Sequence, residues 1–336
     1  MSKYVHLQRG FNLIELMVAL ALGLIIILGA SNVFLSSKQS YRTNTALSQI
    51  QENSRIAFEL LTRDLRQARL TGCGNLGTVS NLVNDNTDAD NWFADFANRG
   101  LVGYGGGAAD DNPALTTGTS AGNHVTGTDN ITILGASDLS YSLKSDYAAA
   151  DGLDITESSP DLSAGDLIFV CDPSQAALVQ ITSVSGGKFK IASGTGTPGN
   201  SAGLSYVYKS SSTLVSPLKS VTWYIGCNPV TTLACDPQRG GTSLYRVMAV
   251  GAASSVSVET QIQEMVRGVA AMNLTYHQGS DSDFKAADTV TTWDPNITDA
   301  VQATLQFVVI DASNGTSTPI TRDLTTTVLL RNPPKN

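Results

Sequence analysis

The sequence predicts an α+β chain in which one long N-terminal α-helix, apolar and then amphipathic, packs on a large, mostly antiparallel β head. Three observations carry this prediction. Residues 11 to 31 form an almost unbroken apolar run. Residues 33 to 70 keep apolar groups at helical spacing, and no proline occurs before Pro113. Beyond residue 130, short strand-like segments recur between turns rich in Gly and Ser. The expected organisation is a short leader at 1–10, a helix at 11–72 whose first part, 11–31, is buried in a membrane or filament, and a β-rich head at 73–336.

The 336 residues suffice for one large or two ordinary domains, and 42% hydrophobic with 15% charged residues excludes a disordered chain. The apolar residues are concentrated near the N-terminus, and the remainder has the Ser/Thr/Gly-rich polarity of an exported head. The formal net charge is −8. Loss of Lys3 and Arg9 with a leader makes it two units more negative, which argues against a general nucleic-acid surface.

Residues 1–10 are polar and carry Lys3 and Arg9, whereas Phe11 to Ala30 are apolar except for Asn12, Glu15 and small residues. Twenty helical residues span about 30 Å, the thickness of a bilayer core. The flanking cations place the start in the cytoplasm and the rest outside. A secretory signal has a shorter apolar part, about 7–15 residues, followed by a small-residue cleavage site that is not evident here. A plain signal anchor accounts for the length and the charges but leaves Glu15 unexplained. A carboxylate inside a span costs up to about 3 kcal/mol at the helix centre and less near its end, so it marks function. A cut after Gly10 makes Glu15 the fifth mature residue, within the first helical turns, where the macrodipole favours a negative charge. The new α-amino group of a neighbouring Phe11 is then a partner for it across a subunit contact.

The run Arg9-Gly10-Phe11-Asn12-Leu13-Ile14-Glu15-Leu16-Met17 resembles the prepilin cleavage and methylation motif of type IV pilins and type II secretion pseudopilins. The resemblance implies a pilin-like fold, cleavage after Gly10 by a prepilin peptidase, N-methylation of Phe11 and an assembly role for Glu15. Asn12 replaces the more usual Thr or Ser. Asn32 stands near the position of a kinking proline found in many major pilins, so the same kink is not implied.

Past the membrane, Leu47, Ile50, Ala57, Leu60, Leu61, Leu65 and Ala68 form one stripe, with Glu52, Arg55, Glu59, Arg63 and Arg66 mostly off it. Thr71-Gly72 ends the pattern, with Gly72 as the expected left-handed residue after the helix. Ser40-Tyr41-Arg42, Gln51-Glu52-Asn53, Leu60 to Ala68, Gly72-Cys73-Gly74 and the tail Arg322 to Asn332 are similar to the PilW family of minor pilins, and less closely to the larger J-type minor pseudopilins. That resemblance covers the first 75 or so residues and the last dozen.

Four cysteines, Cys73, Cys171, Cys227 and Cys235, include no C-x-x-C, so an exported chain favours two disulfides over a metal site. Three connectivities are possible; proximity in the chain favours Cys227–Cys235, leaving Cys73–Cys171. Residues 73 to 130 read mainly as loop, Gly103 to Asn130 most of all. Strands are expected at Ile131–Leu134, Asp166–Cys171, Leu178–Val184, Lys188–Ile191 after a Gly186-Gly187 turn, and Ser205–Lys209. Further strands are expected at Val221–Cys227, Ser243–Val250, Ala271–His277, Ala303–Ile310 and Leu324–Arg331.

No catalytic constellation emerges. His6 lies in the leader, His124 in a loop and His277 on a strand, and no nucleophile elbow, P-loop or H-E-x-x-H is present. The reading is therefore not an enzyme, with no cofactor. Asn84, Asn86, Asp88 and Asp90, and again Asp281 and Asp283, are oxygen-rich, but neither run supplies the glycine and twelfth-position acid of a calcium loop. Solvated acidic loops account for them, and no metal is expected. The resemblance implies a minor pilin that helps prime or assemble a type IV pilus, in a tip complex with other minor pilins and a pilus-tip protein, alongside the major pilin. Twitching motility, adhesion or DNA uptake would follow. The alternatives are a J-like pseudopilin of type II secretion, or a pilus subunit whose head binds a surface ligand or DNA. The expected location is the inner membrane, single-pass with the head in the periplasm, and then the cell-surface pilus.

Overall fold

The computed structural model describes residues 12–73, 79–84, 93, 95–106, 115–158, 160–196, 198–230, 233–250, 261–279, 281–290, 293, 298–309 and 319–330. One helix, α1 (Leu13–Arg66), dominates the N-terminal part. Its 54 residues rise about 80 Å at 1.5 Å each. The predicted stripe is the face turned to the head: Ala46, Ile50, Ala57, Leu61, Leu65 and Ala68 are buried, with Ser54 and Asp64 among them.

The helix stops earlier than expected, and although Gly72 has the expected positive φ (92°), Arg69 takes the left-handed conformation before it (φ 63°). Backbone pairing explains this. The Arg69 N–H donates to the Leu134 carbonyl at 2.8 Å, and the Ala136 N–H donates to Leu70 at 2.6 Å. Stitching the chain to a strand offsets the small strain of a non-glycine residue there.

After α1 come β1 (Val79–Asn81), a single helical turn α2 (Phe96–Arg99), β2 (Leu101–Tyr104), β3 (Asn130–Ala136), β4 (Tyr141–Ser142) and β5 (Leu153–Asp154). Next are β6 (Leu167–Cys171), β7 (Ala176–Gln180), β8 (Ser183–Ser185), β9 (Lys188–Lys190) and β10 (Leu214–Cys227). The chain closes with β11 (Thr242–Val250), β12 (Gln261–Arg267), β13 (Val269–Gln278), β14 (Lys285–Ala286), β15 (Thr298–Val309) and β16 (Ile320–Leu329). Pairing is antiparallel throughout except between β1 and β7.

Three sheets result among the described residues. The largest runs β1-β7-β6-β10-β11-β12 and carries β2, β3 and β4 beside that path. A second runs β14-β13-β15-β16, and a small third β5-β9-β8. Strand β10 links two regions of the head. Its start, Leu214–Pro217, pairs with β6, while its remainder pairs with β3 and β11. The helix stripe shares one core with Trp223, Val269, Leu274, Leu305 and Phe307, and a separate core holds Leu153, Val170, Val179 and Phe189.

Other expectations fail: the strand expected at Leu178–Val184 is split, with Ile181 and Thr182 lying between β7 and β8. Ser205–Lys209 forms no strand, because adjacent Tyr206 and Val207 both face solvent and the alternation breaks. Gly103 and Tyr104, assigned to loop, end β2 and pair with Ile131 and Asn130. The predicted Gly186-Gly187 turn is present: both residues have positive φ (59° and 74°), the backbone that a tight hairpin between β8 and β9 demands.

Candidate functional site

The N-terminal half of α1 is mostly apolar around its circumference and is not buried among the described residues. Leu13 is 73% exposed, Leu24 60% and Phe34 67%. The run from Leu13 to Leu35 is about 34 Å long at 1.5 Å per residue, and it is long and apolar enough to cross a membrane. Asn12 starts the helix with extended backbone, and its carbonyl accepts the Glu15 N–H at 3.0 Å and the Leu16 N–H at 3.2 Å. Glu15 therefore sits in the first turn, at the end of the helix that favours an anion. Gly10 and Phe11 lie outside the described residues, as do Asn86, Asp88 and Asp90. A polar stretch, residues 36–45, separates the apolar run from Ala46, where burial against the head begins.

The other end of α1 is fixed by a polar cluster. Asp64, only 5% exposed, faces two strands at once. The indole N–H of Trp223 on β10 donates to Asp64 Oδ2 at 3.0 Å. On β11, Arg246 Nε lies 2.9 Å from Oδ2 and its Nη2 donates to Oδ1 at 3.2 Å. The guanidinium also stands over the Trp223 ring, 5.9 Å from its centre. Burial pushes the Asp64 carboxyl above the usual carboxylate range, against the pull of Arg246, Lys219 and the indole N–H. Removing one partner of such a buried pair costs roughly 3–5 kcal/mol. Beside it, Lys219 donates to Gln67 Oε1 at 3.1 Å and lies 3.6 Å from Asp138.

Sequence reasoning passed over Asp64. Its signal was available, an acid three residues after Leu61 on an otherwise apolar stripe. Its partners lie 159 and 182 residues away, and no local pattern marks them.

Cys73, just past the helix, is bonded to Cys171 at the end of β6, with Cα atoms 5.8 Å apart. Cys227 is bonded to Cys235, Cα atoms 4.9 Å apart, inside the connection from β10 to β11. Of the two described histidines, His124 has the Thr128 hydroxyl 3.2 Å from its Nε2. His124 is buried, its Nε2 against the Thr128 carbonyl at 3.1 Å. His277 has an acceptor at each ring nitrogen, Asp299 Oδ1 at 2.6 Å and the Asp281 carbonyl at 2.8 Å, an arrangement suited to the imidazolium. The Asp299 hydrogen bond, reinforced by that carbonyl, raises His277 above its ordinary value. Asp281 is held by Lys285 at 2.8 Å, and Asp283 accepts from the Ser282 hydroxyl at 2.9 Å. No group of three or more metal-ligating side chains forms among the described residues.

Residues 6–31 match the family model of the prokaryotic N-terminal methylation motif. No curated protein and no solved structure matches the chain. The motif supports a type IV pilin-like or pseudopilin-like subunit with an α+β fold, and a structural part rather than an enzyme. It implies processing by a prepilin peptidase and assembly with other pilins, and the exposed helix fits membrane anchoring.

Proposed function

We propose that this chain is a minor pilin of the PilW type, which primes or caps a type IV pilus together with other minor pilins, a tip protein and the major pilin. The observation that carries the reading is the exposed, mostly apolar run from Leu13 to Leu35 with Glu15 in its first turn, which begins inside the matched motif. Residues 1–10 are the leader, 11–72 the helical segment and 73–336 the head. A membrane peptidase cuts after Gly10, Phe11 is N-methylated, and the head faces the periplasm until the subunit leaves the inner membrane. In the bilayer the apolar run is solvated by lipid. It can leave only by burying against the same surface of neighbouring helices. Glu15 then neutralises the α-amino group of a neighbouring Phe11 and fixes the step between subunits.

Mass spectrometry of pili sheared from cells, beside the residual membranes, tests this. The expected result is an N-methylated peptide beginning at Phe11, present in pili at low stoichiometry. The same peptide confined to membranes would indicate a pseudopilin or a priming complex that stays behind. A chain still carrying residues 1–10 would defeat the reading.

A further inference from the structure

The apolar run of α1 ends at Leu35, and the helical turns beyond it have a chemistry of their own. Between Glu15 and Glu52 the sequence holds no acid, and its only charges are Lys38 and Arg42. Phe34, Lys38 and Tyr41 follow one another at helical spacings of four and three, so they share one face of α1. Phe34 is 67% exposed and Tyr41 73%, and Lys38 is exposed and makes no ion pair among the described residues. Arg42 is half-buried, has an interaction of its own in the protein and adds only its charge. Burial of α1 against the head begins later, at Ala46.

Distances along the helix select what meets this face. Lys38 lies about 4.5 Å and Tyr41 about 9 Å beyond Leu35. Helix side chains lean toward the N-terminus, here back toward the apolar run. The headgroup layer of a bilayer is about 5–7 Å thick on each side of the hydrocarbon. With Leu35 at the hydrocarbon boundary, the Lys38 ammonium and the Tyr41 hydroxyl reach phosphate level, where basic and amphipathic aromatic side chains collect. Ala46 stands about 16 Å beyond Leu35, so the head begins clear of that layer.

We propose that Lys38 and Tyr41 form a collar that binds the headgroups of anionic phospholipid and fixes the depth of α1 in the bilayer. The ammonium and the phenolic hydroxyl donate to phosphate oxygens, the Tyr41 ring and Phe34 lie against the upper acyl chains, and Arg42 strengthens the positive field. A helix held at one interface is placed at the other. Glu15 lies about 30 Å from Leu35, one hydrocarbon thickness away, and so stays at the opposite face instead of being drawn into the apolar layer. The inference rests on the reading of α1 as a membrane span and adds to it a lipid class and the residues that bind it. It does not depend on the PilW-type role.

The test uses the full chain carrying Tyr41→Trp, which keeps an interfacial aromatic ring, in phosphatidylcholine vesicles with native disulfides intact. The parent chain supplies the background from Trp92, Trp223 and Trp293. Lipids bearing a nitroxide near the headgroup should quench the new indole strongly, and lipids labelled near the chain end only weakly. Shallow-labelled phosphatidylglycerol, added as a minor component, should quench with roughly fivefold preference over shallow-labelled phosphatidylcholine. Lys38→Glu should abolish that preference while the chain stays inserted. Resistance to alkaline extraction scores insertion separately, and an extracted chain would overturn the span and the collar together. An inserted chain overturns the collar alone if its new indole is quenched by neither label, as on a face kept for a neighbouring subunit. Quenching chiefly by the deep label, or equal quenching by both headgroups, overturns it as well.

Discussion

From Leu13 to Leu35 the helix α1 leaves its large apolar side chains bare, whereas from Ala46 to Leu65 it buries one stripe of them against the head and turns charges such as Glu59 and Arg63 outward. The two halves are continuous in backbone and differ in what supports them. The outer half is amphipathic, and its helix is held by tertiary packing. The inner half is apolar around most of its circumference and can be stable only where lipid or other helices surround it. A helix built this way separates two tasks that a soluble helix combines: one half specifies the fold of the head, and the other specifies an environment.

That contrast can be broken from either side. The largest effect is expected from Glu15→Ala, which touches only the inner half: the subunit should be largely lost from sheared pili while its amount in membranes is unchanged. Immunoblots of the two fractions measure this, and equal recovery in pili would remove the assembly role from Glu15. On the head side, replacing Cys73 and Cys171 by Ser opens a loop of sequence separation 98, worth about 4.7 kcal/mol in the chain-entropy model. The Cys227–Cys235 pair, of separation 8, should cost only about 2.5 kcal/mol. Denaturant unfolding of the detergent-solubilised chain ranks the two, and reversal of that order would refute the estimate.

Leu61→Ala and Leu24→Ala make the same chemical change in the two halves. The first should destabilise the head by about 3 kcal/mol and the second should leave its unfolding midpoint unmoved. If Leu24→Ala destabilises the head equally, the halves are not independent. The smallest effect serves as a control far from the helix. The folded pKa of His277 is raised, so its contribution is complete below the unfolded value of about 6.5 and is lost as pH rises through the folded one. The melting temperature should therefore fall slightly between mildly acidic and mildly alkaline pH, and His277→Gln should remove that slope without affecting membrane insertion.

Much of this architecture is written locally. The apolar run, the stripe at Ile50, Ala57, Leu61 and Leu65, and the alternation of Val221, Trp223 and Ile225 each follow from the period of the element that contains them. What escaped prediction depends on distant partners. Gly103 looked like loop because glycine seldom favours a strand. Its place in β2 is set by Tyr276, whose hydroxyl would lie 1.9 Å from a Cβ at that position, so only glycine lets the buried ring pass. Asp64 escaped for the same reason, since its meaning resides in Trp223 and Arg246. The strand expected at Ser205–Lys209 failed in the opposite way: its composition suits a sheet, but no edge among the described residues takes it up. The methylation motif at residues 6–31 was legible because it is a short contiguous pattern rather than a tertiary contact.

The bond between Cys73 and Cys171 also decides how the molecule carries load. Cys73 follows closely on the end of α1, and Cys171 ends β6, which pairs with the start of the central strand β10. A pull along the helix therefore crosses the sulfur bridge directly into the middle of the largest sheet. A second route runs beside it, because Arg69 and Leu70 at the end of the helix are hydrogen-bonded to Leu134 and Ala136 of β3, which also pairs with β10.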